Sequence, residues 1–562
     1  MSRVAGMISL LVLLVVSAAA SGPSRDGAPD PKSALIVLSH IYTADTTQPL
    51  TEAFVVHGDR IAFVGSRSEA VAHAGPQART LDLRDRTVLP GFADAHAHLI
   101  DLGVVLRNVD LTGAATYDEV IARVVARAKN TPPGEWIQGH GWDQNRWPDK
   151  KFPVHDALSR AVPDHPIVLG RIDGHALLAN AKAMALTRVT AATRDPAGGR
   201  IERKSNGDPA GVFVDNAMDL VTRAIPPLSA RQIDEAYLAA QAEAHRFGLV
   251  SVHDAGESGY AIDRLERLAQ SGRITLRVYE MVADDPNDID RAIARGPQNA
   301  LYGGHVWIRA IKLYADGAMG SRGAALLKPY SDDPGNSGLL LTPPEHLRDV
   351  STRALKAGFQ VATHAIGDRG NRLALDAYGA ALKEVPTRDH RFRIEHAQIL
   401  NPDDIPRFAR LGVIPSMQAT HQTSDMPWIG SRLGADRLVG AYAWRSLLET
   451  GVVIPNGTDF PVEKVDPLLT FHAAVTRQDP DNQPPGGWRP EQRMTREEAL
   501  ASMTRWPAYA GFQEGVMGSL SVGKYADFVV LDRDIMTAPA ESILATHVMA
   551  TYVGGAAVYR RR

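Results

Sequence analysis

The chain has 562 residues, 44% of them hydrophobic and 22% charged, with a formal net charge of −3 and no Cys. That composition is ordinary for a globular protein and leaves room for one large domain with additions or for two to three domains. The near-neutral charge excludes a basic field for nucleic acid, and the missing thiols exclude disulfides, thiolate metal ligands and a lipid-modified Cys anchor.

Arg3 precedes the apolar run from Ile8 to Val16, and Ser17-Ala18-Ala19-Ala20-Ser21 follows, with Ala18 and Ala20 suited to the −3 and −1 positions of a secretory cleavage site. Residues 1–20 are therefore expected to be a signal peptide. A membrane anchor is the competing reading, but the run is too short to span a bilayer comfortably. An exported chain without disulfides fits a bacterial periplasm or the surrounding medium, with no stable membrane anchor left after cleavage.

From Ala34 to Leu89 short β-like runs, such as Ala34 to Leu38, Ala53 to Val56 and Arg60 to Gly65, are broken by turns such as His57-Gly58-Asp59. The far end repeats this style from Gly523 to Asp532 and again from Val548 to Tyr559, with Gly554-Gly555 as a turn. Two β segments at opposite ends of a long middle predict one small β-sandwich, with residues 21–90 and 511–562 as its two parts.

Residues 91–510 read as alternating strands and helices. The runs ending at Phe92, His253, Tyr279, Leu313, His364, His396, Met417 and Pro455 make eight strands, the pattern of an α/β fold of the (β/α)8, TIM-like barrel kind. Between the first and second of them, residues 106–228 are too long for a helix and loops. They carry strand-like pieces of their own (Glu135 to Gly139, Ile167 to Arg171) and predict an insertion acting as a lid or specificity subdomain.

Gly91-Phe92-Ala93-Asp94-Ala95-His96-Ala97-His98 follows Thr87-Val88-Leu89-Pro90. Residues two apart in a strand face the same way, so His96 and His98 can aim two imidazoles at one point. With 19 His in the chain, one such pair arises by chance about as often as not, so its company decides. Lys312, His364 and His396 lie at the ends of the fourth, fifth and sixth runs and Asp459 just beyond the eighth, and active sites of such barrels lie at the C-terminal strand ends. Each has a bland alternative: a histidine satisfying backbone groups, a lysine snorkelling or paired with Asp316, an aspartate capping a helix.

Together with Lys312-Leu313-Tyr314-Ala315-Asp316-Gly317-Ala318-Met319-Gly320-Ser321-Arg322, Thr363-His364-Ala365-Ile366-Gly367-Asp368, Arg393-Ile394-Glu395-His396-Ala397 and Gly457-Thr458-Asp459-Phe460-Pro461-Val462, the first motif resembles the metal-dependent amidohydrolase superfamily, in its amidohydrolase-3 branch of enzymes like N-substituted formamide deformylase. The resemblance runs from about Ala34 onward. It implies two divalent metals, zinc being suited to imidazole and carboxylate ligands, with His96, His98 and Asp459 on one, His364 and His396 on the other, and a carboxylated Lys312 bridging them. It also implies attack by metal-bound hydroxide on a small-molecule amide, formamide or N-acyl C–N bond, with Asp459 as the catalytic proton carrier.

Further candidates for substrate contact are His175 in the insertion, His253 beside Asp254 on the second strand, Arg322 as a carboxylate clamp, His421 beyond the seventh strand, and Trp142 with Trp147 as an aromatic pocket wall. An exported non-catalytic binder on the same fold, an esterase or lactonase, and a cyclic-amide hydrolase or isomerase remain as alternatives. The sequence leaves room for a homodimer.

Overall fold

A computed structural model describes residues 34–562 apart from 145–146, 172–175, 197–198 and 321; the expected signal peptide lies outside the described residues. Seven parallel strands follow one another in chain order: Phe92–Ala97, Leu249–Glu257, Arg277–Val282, Val306–Tyr314, Gln360–Ala365, Arg393–His396 and Ile414–Ser416. A short strand, Gln298–Ala300, pairs antiparallel with the fourth of them. Phe92–Ala97, Arg277–Val282 and Arg393–His396 are buried along their whole length, as strands covered by helices outside and by side chains inside must be.

The eighth run takes its place in the ring without forming a regular strand. Met417 N donates to Pro455 O and Gly457 N to Met417 O, both at 3.0 Å, while on the other side Ala95 N donates to Asn456 O at 3.0 Å. Pro455 has no amide proton for a ladder, and the backbone is left-handed at Gly451 (φ 92°) and Asp459 (φ 59°), so the extended stretch is cut short at both ends. The ring closes through one isolated bridge, Met417 with Asn456, and the bond from Ala95 to Asn456.

Inside the barrel, Tyr279, Met281 and Trp307 pack with Met517 and Tyr525 of the C-terminal segment and fill the end away from the strand C-termini. Buried Arg277 donates from Nε and Nη2 to Asp527 at 2.6 and 2.9 Å and lies 3.5 Å from the centre of the Tyr525 ring, tying that segment to the third strand. Outside, the helix Leu99–Arg107 crosses the helix Ala230–Arg246 so closely that a Cβ at Gly103 would lie 2.1 Å from Ala236 O. Only glycine fits that crossing.

The two ends of the chain build one seven-stranded sheet. Its order is Ala556–Arg560, Val548–Val553, Phe528–Leu531, Arg79–Pro90, Leu35–Tyr42, Leu50–His57 and Arg60–Gly65. Phe54 and Phe528 are three strands apart in that order, which in a flat sheet at ~4.8 Å per strand would separate them by roughly 14 Å. Their rings instead meet edge-on at 5.3 Å, and Ile61 N donates to Lys524 O at 2.9 Å. The sheet therefore curls over its own core, giving the two facing layers expected of a sandwich from a single continuous sheet.

The insertion carries a separate six-stranded sheet, ordered Gly199–Arg203, Pro209–Asp215, Ala176–Ala179, Ile167–Arg171, Ile137–Trp142 and Val109–Asp110. It has apolar clusters of its own, built on residues such as Leu169, Leu178 and Val212 on one side and Phe213, Leu177 and Val221 on the other. No helix among the described residues is long and apolar enough to cross a membrane.

Candidate metal centre

The first barrel strand, Phe92–Ala97, is irregular against its neighbour between Asp94 and Ala97, and its end and the N-cap of the next helix carry His96 and His98. Asp94 accepts from the amides of His96 (3.1 Å) and Thr458 (3.1 Å) and from Thr458 Oγ1 (2.7 Å), stitching the strand end to the loop that carries Asp459. Asp459 N donates to His96 O at 2.7 Å. Gly457 is needed here because a Cβ would lie 2.5 Å from His96 N and 2.7 Å from Asp94 Oδ1.

That stitching brings Asp459 onto the histidines. Its Oδ1 lies 3.1 Å from His98 Nε2 and 3.6 Å from His96 Nε2, and its Oδ2 lies 3.6 Å from His421 Nε2. Two donors on one tetrahedral zinc, each at roughly 2.0–2.1 Å, are about 3.3 Å apart. The observed spacings bracket that value, so the side chains already stand where a divalent ion could draw them in. His96, His98 and Asp459 form one such group and His396, His421 and Asp459 a second, each with its ligand atoms within 4.8 Å of one another.

The remaining expected ligands join the same cluster. Lys312 Nζ lies 3.2 Å from His96 Nε2, the rings of His96 and His396 are 4.8 Å apart, and those of His364 and His396 are 4.6 Å apart. Burial, then the charge of Lys312, pushes the His96 imidazolium down to about 4 and that of His364 to about 3, and burial with the two neighbouring rings holds His396 well below its ordinary value. All three are thus neutral, the ligand form of imidazole. Burial also lowers the Lys312 ammonium to about 8. For Asp459, burial alone would raise the carboxyl, but the hydrogen bond from His98 and the fields of His96, His396 and His421 hold it well below the usual range, so it stays anionic.

The ligand rings are held from behind by residues that the sequence reading did not single out. Glu395 Oε2 lies 2.5 Å from His96 Nδ1, which leaves Nε2 facing Asp459. Arg393 Nη2 donates to Glu395 Oε2 (3.0 Å), to Ala95 O (2.6 Å) and to Ser416 Oγ (2.8 Å). Gln418 Oε1 lies 2.8 Å from His396 Nδ1 in the same way. Asp316, weighed as a partner for Lys312, instead accepts from the amides of Ala325, Ile366 and Gly367 at 2.8–2.9 Å and so fixes the turn after His364. The signal for these residues was present as polar side chains two apart in otherwise buried strands: Asp94 before His96, Arg393 with Glu395, Ser416 with Gln418.

Other expected contacts need correction. His253 lies within the second strand rather than at its end; its Nδ1 is 2.8 Å from Arg393 Nη1 and its ring packs 4.8 Å from Tyr279, so it supports Arg393 below the centre. Trp142 and Trp147 are no pocket wall. They stack on each other at 5.9 Å in the core of the insertion, and their indole N–H groups donate to Leu169 O and Ala114 O. Arg322 already spends its fork on Asp332, at 3.1 and 3.0 Å, and so is not poised as an open clamp. His421, by contrast, stands in the cluster, and His175 lies outside the described residues.

The model of the Amidohydrolase family matches residues 79–559. Protein LONG AFTER FAR-RED 3 of Arabidopsis thaliana is 32% identical over 93% of this chain and 91% of its own length. The N-substituted formamide deformylase of Arthrobacter pascens is 28% identical, over 94% of this chain and 98% of its own. Among solved structures, an uncharacterized metal-dependent hydrolase from Pyrococcus furiosus superposes with a TM-score of 0.76 at 28% identity, covering 90% of this chain and all of that one. With the barrel, the terminal sheet and the clustered histidines, these matches establish that the chain belongs to the amidohydrolase family, a family of hydrolases that are metal-dependent by fold.

Proposed function

We propose that the protein hydrolyses a C–N bond in a small amide, formamide or N-acyl compound at a centre of two divalent ions, zinc by preference. His96, His98 and Asp459 would hold one ion, His364 and His396 the other, with Lys312 carboxylated by CO2 between them. The observation that carries this reading is Asp459, buried and anionic, with Oδ1 turned to His96 and His98 and Oδ2 to His421, while Glu395 fixes the far nitrogen of His96. Neutral imidazoles with a carboxylate suit zinc, and the relative named N-substituted formamide deformylase supports a C–N substrate.

A bound divalent ion supplies Lewis acidity and lowers the pKa of a water towards about 7. Within the chain, Asp459 takes the proton from the attacking water and passes it to the leaving nitrogen as the C–N bond breaks, leaving a carboxylic acid and an amine. Glu395 and Gln418 keep the His96 and His396 rings from turning. Export to the periplasm or medium is part of the proposal and is supported by Arg3, the apolar run to Val16 and the small residues before Ser21. The test is metal analysis of the purified protein with a screen of N-formyl, N-acyl and ester substrates. Two ions per chain and amide turnover abolished by a chelator are expected; a metal-free protein with full turnover would overturn the reading.

A further inference from the structure

His421 is the one buried imidazole of the cluster that the assignment above leaves without a task. It sits on the short helix Ala419–Asp425 that follows the seventh strand, 9% exposed, and its Nε2 has no hydrogen-bond partner among the described residues. Two histidines buried away from the cluster, His245 and His390, behave differently, whereas His253 Nε2, behind Arg393, is bare among the described residues as well. His245 places Nδ1 2.9 Å from Leu249 O and Nε2 2.9 Å from Thr275 Oγ1, and His390 Nε2 lies 2.9 Å from Leu411 O. An imidazole nitrogen left bare at such depth is costly unless something takes its lone pair or proton. His421 Nε2 instead points to within 3.6 Å of Asp459 Oδ2, with its ring nearly parallel to that of His396 (22°) at 5.7 Å.

We infer that His421 is a metal ligand, contributed from the seventh strand end, to the ion that His396 holds, and that Asp459 serves both ions, Oδ1 on the side of His96 and His98 and Oδ2 on the side of His421. The two sets, His96, His98, Asp459 and His396, His421, Asp459, share only the aspartate, with His96 and His98 on its Oδ1 and His421 on its Oδ2. Gln418, three residues before His421 on the same turn, orients His396, so one short segment aims both imidazoles. The inference rests on the proposed metal-dependent reading and names a ligand that this reading lacks.

The test compares the wild-type protein with His421→Phe, which fills the ring's space without a donor, and His421→Asp, which restores one. Zinc content per folded chain, zinc affinity in a chelator titration and the visible absorption of cobalt-loaded protein are measured, with circular dichroism to confirm folding. His421→Phe is expected to bind the second ion at least ~10²-fold more weakly and to lose its share of the cobalt bands, while His421→Asp recovers the second ion. A folded His421→Phe protein that keeps two ions with wild-type affinity and spectrum overturns the assignment of His421 and leaves the hydrolase reading standing. Wild-type protein that binds no divalent ion overturns both.

Discussion

Glu395 and Glu280 are both fully buried glutamates on barrel strands, and the two faces of the barrel treat them in opposite ways. Glu395 points inward from the sixth strand, where burial would raise its carboxyl but Arg393, with Nε 2.6 Å from Oε1, and His96 pull it far below the usual range. Glu280 points outward from the third strand, between Val278 and Val282, which pack among the helices. Its register partner on the second strand is Asp254, also fully buried, and neither oxygen of Glu280 has a hydrogen-bond partner among the described residues. Burial and then the Asp254 charge push Glu280 well above its ordinary value. Burial by itself makes a carboxyl neutral, and charge survives in this interior only where a guanidinium or imidazole has been built against it. The inner face keeps charge where it can steer ligands; the outer face stores protons.

The largest expected effect comes from removing Asp459, the inner anion proposed above to move protons. Asp459→Asn keeps size and one ligand oxygen but cannot accept a proton, so amide turnover should fall by about 10²- to 10⁴-fold with the fold intact by circular dichroism, and less for activated esters whose leaving groups need less protonation. Near-normal amide turnover would remove Asp459 from the reaction. Next, Glu395→Gln takes the counter-charge from His96 Nδ1 and should weaken zinc binding by about 10- to 100-fold, read in a chelator titration. Unchanged affinity would mean that Glu395 is only structural.

The outer pair gives the opposite pH sign. A carboxyl held below its unfolded value of 4.5, as Glu395 is, contributes stability that is present above that value and lost as pH falls through the folded one. Glu280, held above 4.5, contributes stability that is present below that value and lost as pH rises towards its raised folded one. Glu280→Gln should therefore gain about 1–3 kcal/mol over the wild type in denaturant melts near pH 8, with the gain shrinking towards pH 4. A gain independent of pH, or a loss, would mean that Glu280 is not held protonated. The smallest effect is expected at Arg322, whose partly exposed pair with Asp332 lies outside the inner cluster. Arg322→Ala should leave both stability and KM nearly unchanged, and a rise in KM of tenfold or more would restore it as a substrate clamp.

Much of this centre was legible because a strand writes its faces into the sequence at a period of two. His96 and His98 with Ala between them announce a polar strand end, and each expected ligand sits beside a strand end or a turn rich in Gly and Asp. Period two tells which face a residue occupies but says nothing of its height in the barrel. His253 and Lys312 both point inward, yet His253 lies a layer below and meets Arg393, while Lys312 reaches His96. Trp142 and Trp147 misled for a related reason: an amphipathic indole suits a pocket wall and a subdomain core equally, and only the packing of the insertion's own sheet assigns them to the second.

By itself the sequence determined the alternation of strands and helices, the joining of the two chain ends in one sheet, the inserted subdomain and the identity of six converging polar side chains, because these follow from local periodicity and from residue chemistry. Tertiary structure alone decided that the ring closes through Asn456 rather than a regular eighth strand, that Glu395, Arg393 and Gln418 stand behind the histidines, and that His421 meets the second oxygen of Asp459. Those contacts join residues tens to hundreds of positions apart, and which side chains meet across a closed barrel is set by strand register and stagger around the whole ring, a quantity that no local stretch of sequence encodes.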